Sequence, residues 1–96
     1  LMNFYPAIDL KDGKCIRLKK GELKDITFYN PNPVDQASKF IEMGAKWIHM
    51  VDIEGAFKGK NFNHKVFIEI KKKFNCLIVK HYPLKKPSYF VKTPAC

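Results

Sequence analysis

Apolar residues fall along this chain in two near-continuous runs with a helical pattern between them. Asn3 to Leu10 carries Phe4, Tyr5, Ala7, Ile8 and Leu10, and Ala45 to Ile53 carries Trp47, Ile48, Met50 and Val51. Runs of this kind suit strands covered on both faces, as in parallel sheets. Each ends beside a carboxylate, Asp9 in the first and Asp52 in the second. Between them Val34, Ala37, Phe40 and Ile41 recur at spacings of three, four and seven, the period of one helix face. Asn32 is suited to cap that helix, Pro33 to its first position, Asp35 to its first turn and Gly44 to its end. Strand, helix, strand is the order of a βαβ unit, so the chain is expected to be of the α/β class.

Asp12-Gly13 is a strong turn signal, and the imperfect alternation of Lys14 to Lys19 makes a short return strand. Residues 22 to 32 are polar around one apolar patch, Ile26 to Tyr29, and run into Asn30-Pro31-Asn32-Pro33, which excludes a regular helix there. Glu54 to Asn63 reads as a loop. Asn63 can cap a second helix with Val66, Phe67 and Ile70 inward and Lys71 to Lys73 in its last turn, and Cys76 to Val79 would begin a third strand. From Lys80 onward Pro83, Pro87 and Pro94 interrupt scattered Tyr, Phe and Lys, and no period assigns an element. The expected organisation is a domain over residues 1–79, βαβα and the start of a third strand, followed by a basic tail, 80–96, with no assigned structure.

Ninety-six residues allow one small domain or less, and 46% apolar with 14% aromatic residues exclude a wholly disordered chain. The net charge of +9 is unevenly spread: residues 76–96 hold 4 Lys and no acid. A basic balance suits nucleic acid, an anionic membrane surface or phosphorylated substrates, and equally a solvated face with Lys71 to Lys73 at a helix end. Cys15, Cys76 and Cys96 form neither a disulfide framework nor a Cys-x-x-Cys site, and reduced thiols in a cytoplasm are expected. The sequence has no apolar run of 18 residues and no signal-peptide pattern, so a soluble cytoplasmic chain without membrane contact is expected.

In parallel α/β folds, ligand sites gather at the carboxyl ends of strands, so Asp9 and Asp52 are expected to converge on one rim. Asp9 can serve as general acid or base; it can equally cap a loop or pair with Lys11. Arg17 can clamp a phosphate or carboxylate with its planar fork, or lie on the surface as arginines ordinarily do. His49 can contact a substrate or donate to Asp52, or be a satisfied core histidine. Lys58-Gly59-Lys60 resembles a phosphate-touching loop only weakly, and neither a P-loop nor a dinucleotide fingerprint occurs. Without zinc-type Cys/His spacing or Gly-x-Ser-x-Gly, metal and acyl-transfer chemistry are disfavoured. The tail interleaves cations with aromatics, among them Lys80, Tyr82, Lys85, Lys86, Tyr89, Phe90 and Lys92, as single-strand binders do, but with no strand platform to hold them.

Pro6-Ala7-Ile8-Asp9-Leu10-Lys11-Asp12-Gly13-Lys14-Cys15-Ile16-Arg17-Leu18 resembles the N-terminus of the histidine-biosynthesis isomerases that act on phosphoribosylformimino-aminoimidazole carboxamide ribotide. Phe28-Tyr29-Asn30 before Pro33-Val34, and Gly44 to Phe57 with Gly59 and Asn63, resemble the second βα unit of that family in order and spacing. The likeness covers residues 2 to about 79. The cyclase subunit of imidazole glycerol phosphate synthase is a near alternative, but its first strand usually reads Cys-Leu-Asp and it lacks the Trp-Ile-His-x-Val-Asp strand. The resemblance implies the N-terminal part of a (βα)8 TIM barrel, with two βα units and the start of a third strand. It also implies an intramolecular aldose–ketose isomerase performing an Amadori rearrangement on a small bisphosphorylated substrate, without metal or cofactor, in a family whose full-length members are monomeric. By the same resemblance Asp9 is the catalytic acid/base, Arg17 a substrate-contacting arginine, and His49 a substrate-contacting position on strand two.

The sequence departs from the family after Val79, where Lys80-His81-Tyr82-Pro83-Leu84-Lys85-Lys86-Pro87 stands in place of a phosphate-binding Gly-Gly-Gly-Ile-Arg, and the second aspartate, from strand five, has no counterpart. Such a barrel typically takes about 250 residues. A truncated enzyme is therefore expected, with a parallel sheet of two or three strands, a tail of foreign or out-of-frame sequence, and little or no activity alone. Two readings of other classes stand beside it: a small basic binding module for RNA or phosphorylated ligands, and a complementation fragment whose partner supplies the remaining strands. Nucleic acid is not expected as a partner.

Overall fold

The computed structural model describes residues 4–19, 22–53, 63–81 and 88–93. Strands β1 (Ala7–Lys11) and β2 (Lys14–Lys19) form a hairpin through Asp12-Gly13, whose φ values of +53° and +71° are both positive. A two-residue turn with both residues left-handed matches the twist of its strands, and the Asp-Gly pair supplies it at little steric cost. The polar segment that follows is a third strand, β3 (Glu22–Asn30), paired antiparallel with β2.

Helix α1 (Pro33–Glu42) starts and stops where its capping residues direct. The Asn32 side chain accepts a hydrogen bond from the Asp35 backbone N–H at 3.1 Å, and Asp35 pairs with Lys39 one turn on at 3.2 Å. At the other end Gly44, with φ +96°, donates to the Ile41 carbonyl while Ala45 donates to Phe40, the paired bonds of a Schellman ending. Strand β4 (Trp47–Asp52) then returns parallel to β1, which completes the βαβ unit. Helix α2 (His64–Phe74) ends at Asn75, which takes the left-handed conformation at φ +52°, and strand β5 (Leu77–His81) follows.

The tail departs from expectation. Residues 80 and 81 continue β5, and Ser88–Lys92 form a sixth strand, β6. The sheet order is β3-β2-β1-β4-β6-β5, so β1 and β4 are its one parallel pair of neighbours. The expected parallel sheet of two or three strands is thereby corrected. Strand β5 has the direction a βαβ return requires, but β6 lies between it and β4, antiparallel to both. The reason lies in pairing and burial together: β6 supplies ladder partners to two strands at once, and its Tyr89 and Val91 are buried on the helix side of the sheet. Tyr89 packs against Phe67 of α2 with ring centroids 3.8 Å apart. Thr93 anchors the end of β6, its hydroxyl donating to the Ala45 carbonyl at 2.6 Å.

The main core is the layer between sheet and helices. Ile8, Leu10, Ile48, Met50, Tyr89 and Val91 meet Ala37 of α1 and Phe67 and Ile70 of α2. No described element covers the opposite face of the sheet.

Candidate functional site

The two acid-ended strands place their carboxylates on opposite faces. In the β1–β4 register Asp9 lies beside Val51 and Leu10 beside Asp52, so Asp9 alternates away from the helix-side core while Asp52 points into it. The expectation that both carboxylates converge on one rim is overturned, because adjacent strands one pleat out of phase direct their side chains to different sides of the sheet. Asp52 is fully buried. Its Oδ2 accepts the Asn63 backbone N–H at 3.0 Å and its Oδ1 accepts Asn63 Nδ2 at 2.8 Å. Asn63 Oδ1 in turn accepts the Gly13 N–H at 2.8 Å. Asn63 does stand at the start of α2, but its side chain makes no cap bond to the helix. It ties the β1–β2 turn to the end of β4 instead.

Asp9 and Arg17 share a cavity. Strand β1 pairs with β2 over Asp9–Lys11 and Lys14–Ile16, whereas Arg17 and Leu18 pair on the other side with β3. Where the β1–β2 pairing stops, beside Pro6 and Ala7, a cavity of about 500 Å³ opens, lined by Phe4, Asp9, Ile16, Arg17, Tyr29 and Phe40 among others. A shift of register between Cys15 and Ile16 leaves Tyr29 out of the ladder, and the Arg17 guanidinium sits over its ring at 4.6 Å. Burial, with the Cys15 thiol beside it, pushes the Tyr29 phenol up to about 12 against the smaller opposing pull of Arg17. Burial likewise pushes Cys15 up to about 11, so this thiol is a weak nucleophile. Lys11, weighed above as a partner for Asp9, bonds Asp12 at 3.0 Å.

His49 lies on the same sheet face as Asp9, next to Ala7 in the register, but it does not line this cavity. Its ring is stacked on Phe90 of β6, with centroids 4.6 Å apart and planes at 11°. Donation to Asp52 is excluded by the pleat, which puts His49 on the other face. Tyr29, Phe4 and Phe40 carry no sequence signal as site residues: Phe4 and Phe40 belong to apolar patterns, and nothing in a linear pattern says that an aromatic ring will border a cavity. Lys58-Gly59-Lys60 lies outside the described residues, as do Tyr82, Lys85 and Lys86. Among the described residues no group of three or more His, Cys, Asp or Glu is arranged to hold a metal ion, and no helix is long and apolar enough to cross a membrane.

The model of the histidine biosynthesis protein family matches residues 3–79. The chain belongs to that family. Its mixed α/β structure with βαβ-type units is consistent with the N-terminal part of the family's (βα)8 barrel. Similar relatives include proteins named 1-(5-phosphoribosyl)-5-((5-phosphoribosylamino)methylideneamino) imidazole-4-carboxamide isomerase. That of Rhodospirillum rubrum is 53% identical over 62 residues, 65% of this chain and 26% of the relative. That of a Chelativorans strain is 55% identical over 62 residues, 65% of this chain and 25% of the relative. That of Azospirillum brasilense is 53% identical over 64 residues, 67% of this chain and 25% of the relative. The chain thus spans about a quarter of the length of these relatives. Strand β6 lies beyond the residues that the family model matches.

Proposed function

We propose that this chain carries the first part of an isomerase site of histidine biosynthesis, with Asp9 as an acid–base group, and Arg17 and His49 as contacts to a bisphosphorylated aminoaldose. The observation that carries the reading is that Asp9 and Arg17, far apart in character and eight residues apart in sequence, line one cavity in a chain of this family. The isomerase name of the relatives favours this activity over that of the cyclase subunit.

In an Amadori rearrangement a proton delivered to the ribose ring oxygen opens the ring to an iminium ion. Loss of a proton from the adjacent carbon then gives an enolamine, which tautomerises to the aminoketose. No atom is gained or lost, so the protein's part is to deliver and remove protons and to hold the phosphates. A carboxyl group at Asp9 can do the first for one of the two transfers. The Arg17 fork, resting on the Tyr29 ring and exposed to solvent, can take a phosphate or carboxylate in bidentate fashion. His49, on the sheet face of Asp9 and stacked on Phe90, is the second proposed contact.

A chimera tests the reading independently of the rest of the chain. Residues 4–53 replace the matching segment of the Rhodospirillum rubrum isomerase. The chimera is expected to turn over the aminoaldose, and Asp9→Asn is expected to lower kcat by about 10²-fold or more, the scale of acid–base catalysis. Arg17→Ala is expected to raise KM. A folded chimera that keeps its kcat with Asn at position 9 overturns the role of Asp9.

A further inference from the structure

Arg17 is the chain's single arginine and borders the Asp9 cavity from an exposed position, where an arginine ordinarily samples many rotamers. Here its guanidinium lies over the Tyr29 ring, 4.6 Å from the centroid. A break in strand pairing brings the two together. Cys15 pairs with Asn30 but Ile16 pairs with Phe28, so Tyr29 is the extra residue of a β-bulge. Residues opposite one another in an antiparallel ladder share a face. In an unbroken ladder Tyr29 would therefore stand opposite Ile16, on the other side of the strand from Cys15 and Arg17. The bulge turns its ring toward both.

The ring is held from behind. Tyr29 is half-buried, packs against the core cluster that contains Cys15, and hydrogen-bonds the Cys15 thiol through its hydroxyl. Cys15 itself has no exposed surface. Thiol, phenol and guanidinium thus run in series from core to cavity, each resting on the one before it. Among the described residues no carboxylate forms an ion pair with Arg17, so the ring takes one face of the guanidinium and leaves its N–H edge for a ligand. The geometry points to Tyr29 as the positioning residue of Arg17, an aromatic rest that keeps the donor edge of the guanidinium turned to the phosphate of a phosphorylated sugar. Less rotamer freedom then remains to be lost when the phosphate binds. The inference deepens the isomerase reading and rests on the substrate contact assigned there to Arg17.

With one arginine in the chain, the Arg17 Nε–H resonance is read by NMR of the whole protein without ambiguity. In the unmodified chain the Tyr29 ring current is expected to shift that proton upfield. Tyr29→Phe, which keeps the ring, is expected to retain the shift, and Tyr29→Leu to return the proton to the position of a free arginine. Ribose 5-phosphate is the probe for binding, followed by backbone amide shifts. Arg17→Ala is expected to weaken its affinity about tenfold, the scale of a hydrogen bond to a charged group. Tyr29→Leu is expected to weaken it about fivefold, the scale of a cation–π contact, and Tyr29→Phe less than about twofold. Added to Arg17→Ala, Tyr29→Leu is expected to make no further difference. A residue that served only the fold would weaken binding alike with and without Arg17. The inference is overturned by an unshifted Arg17 resonance in the unmodified chain, a result that needs no variant to fold, or by equal losses from Tyr29→Leu in the two backgrounds. Weaker binding by Arg17→Ala with Tyr29→Leu binding as wild type upholds the Arg17 contact and overturns only the role of Tyr29. Arg17→Ala binding as wild type overturns the contact itself, and this inference with it.

Discussion

Strands β1 and β4 are neighbours, run parallel, and each carries an aspartate near its carboxyl end, yet the two carboxylates have opposite fates. Asp9 faces the open side and borders a cavity with Arg17; Asp52 has no exposed surface and is held through both oxygens by Asn63. One residue of register separates them. A carboxylate at a strand end is a candidate for chemistry only when the pleat directs it away from the core. On the other side it becomes a fastener, and here it fastens the turn that follows Asp9's own strand, through Gly13.

The largest test of that contrast is Asp52→Ala. It leaves the Asn63 N–H and amide buried without their acceptor, and a loss of about 3 kcal/mol is expected from urea unfolding. Asp9→Asn is expected to change stability by about 1 kcal/mol or less while it reduces chimera turnover as above. If the two substitutions destabilise equally, the division into fastener and site residue fails. Asn63→Ala removes the link to Gly13 and one of the two bonds to Asp52, with an expected loss of about 2 kcal/mol and faster hydrogen exchange at the Gly13 amide. Unchanged exchange there would show that the turn holds itself.

Asn32→Ala, which removes the α1 cap remote from both carboxylates, is expected to cost about 1 kcal/mol and to leave Gly13 exchange alone. A separate test concerns pH at Tyr29 and the Cys15 thiol beside it. Folding raises the Cys15 thiol from 9.0 to about 11 and the Tyr29 phenol from 10.0 to about 12. The folded state therefore holds these protons more tightly than the unfolded chain. Their contribution is full below pH 9 and is lost as the pH rises through about 11 to 12. Thermal melts from pH 8 to 11 should show the midpoint falling, and falling less in Cys15→Ala.

Local chemistry was legible in the sequence. The Asn32 cap, Pro33, the Gly44 ending and the Asp12-Gly13 turn act through bonds and backbone angles within a few residues, and the structure forms α1 and the β1–β2 hairpin there. So was the order of strands and helices, because hydrophobic period depends only on which face of each element is covered. Asp9, Arg17 and His49 could be chosen as candidates for the same reason: they fall at strand ends or on strands.

Which face each candidate occupies was a different matter. Asp52 reads like Asp9 until β4 is laid against β1 in register and two helices cover one side of the sheet. His49 shares the sheet face of Asp9, and its ring is stacked on Phe90, 41 positions on. Residues 88–92 show no decisive period, since a strand whose neighbours are β4 and β5 is defined by hydrogen bonds to segments remote in sequence. The sequence by itself determined the elements and the residues able to do chemistry, because propensity, capping and turn geometry are local. Only the tertiary structure decided that Asp52 is a buried fastener, that Asp9 shares a cavity with Arg17, and that the tail becomes a strand, because pairing partner and covered face are long-range properties.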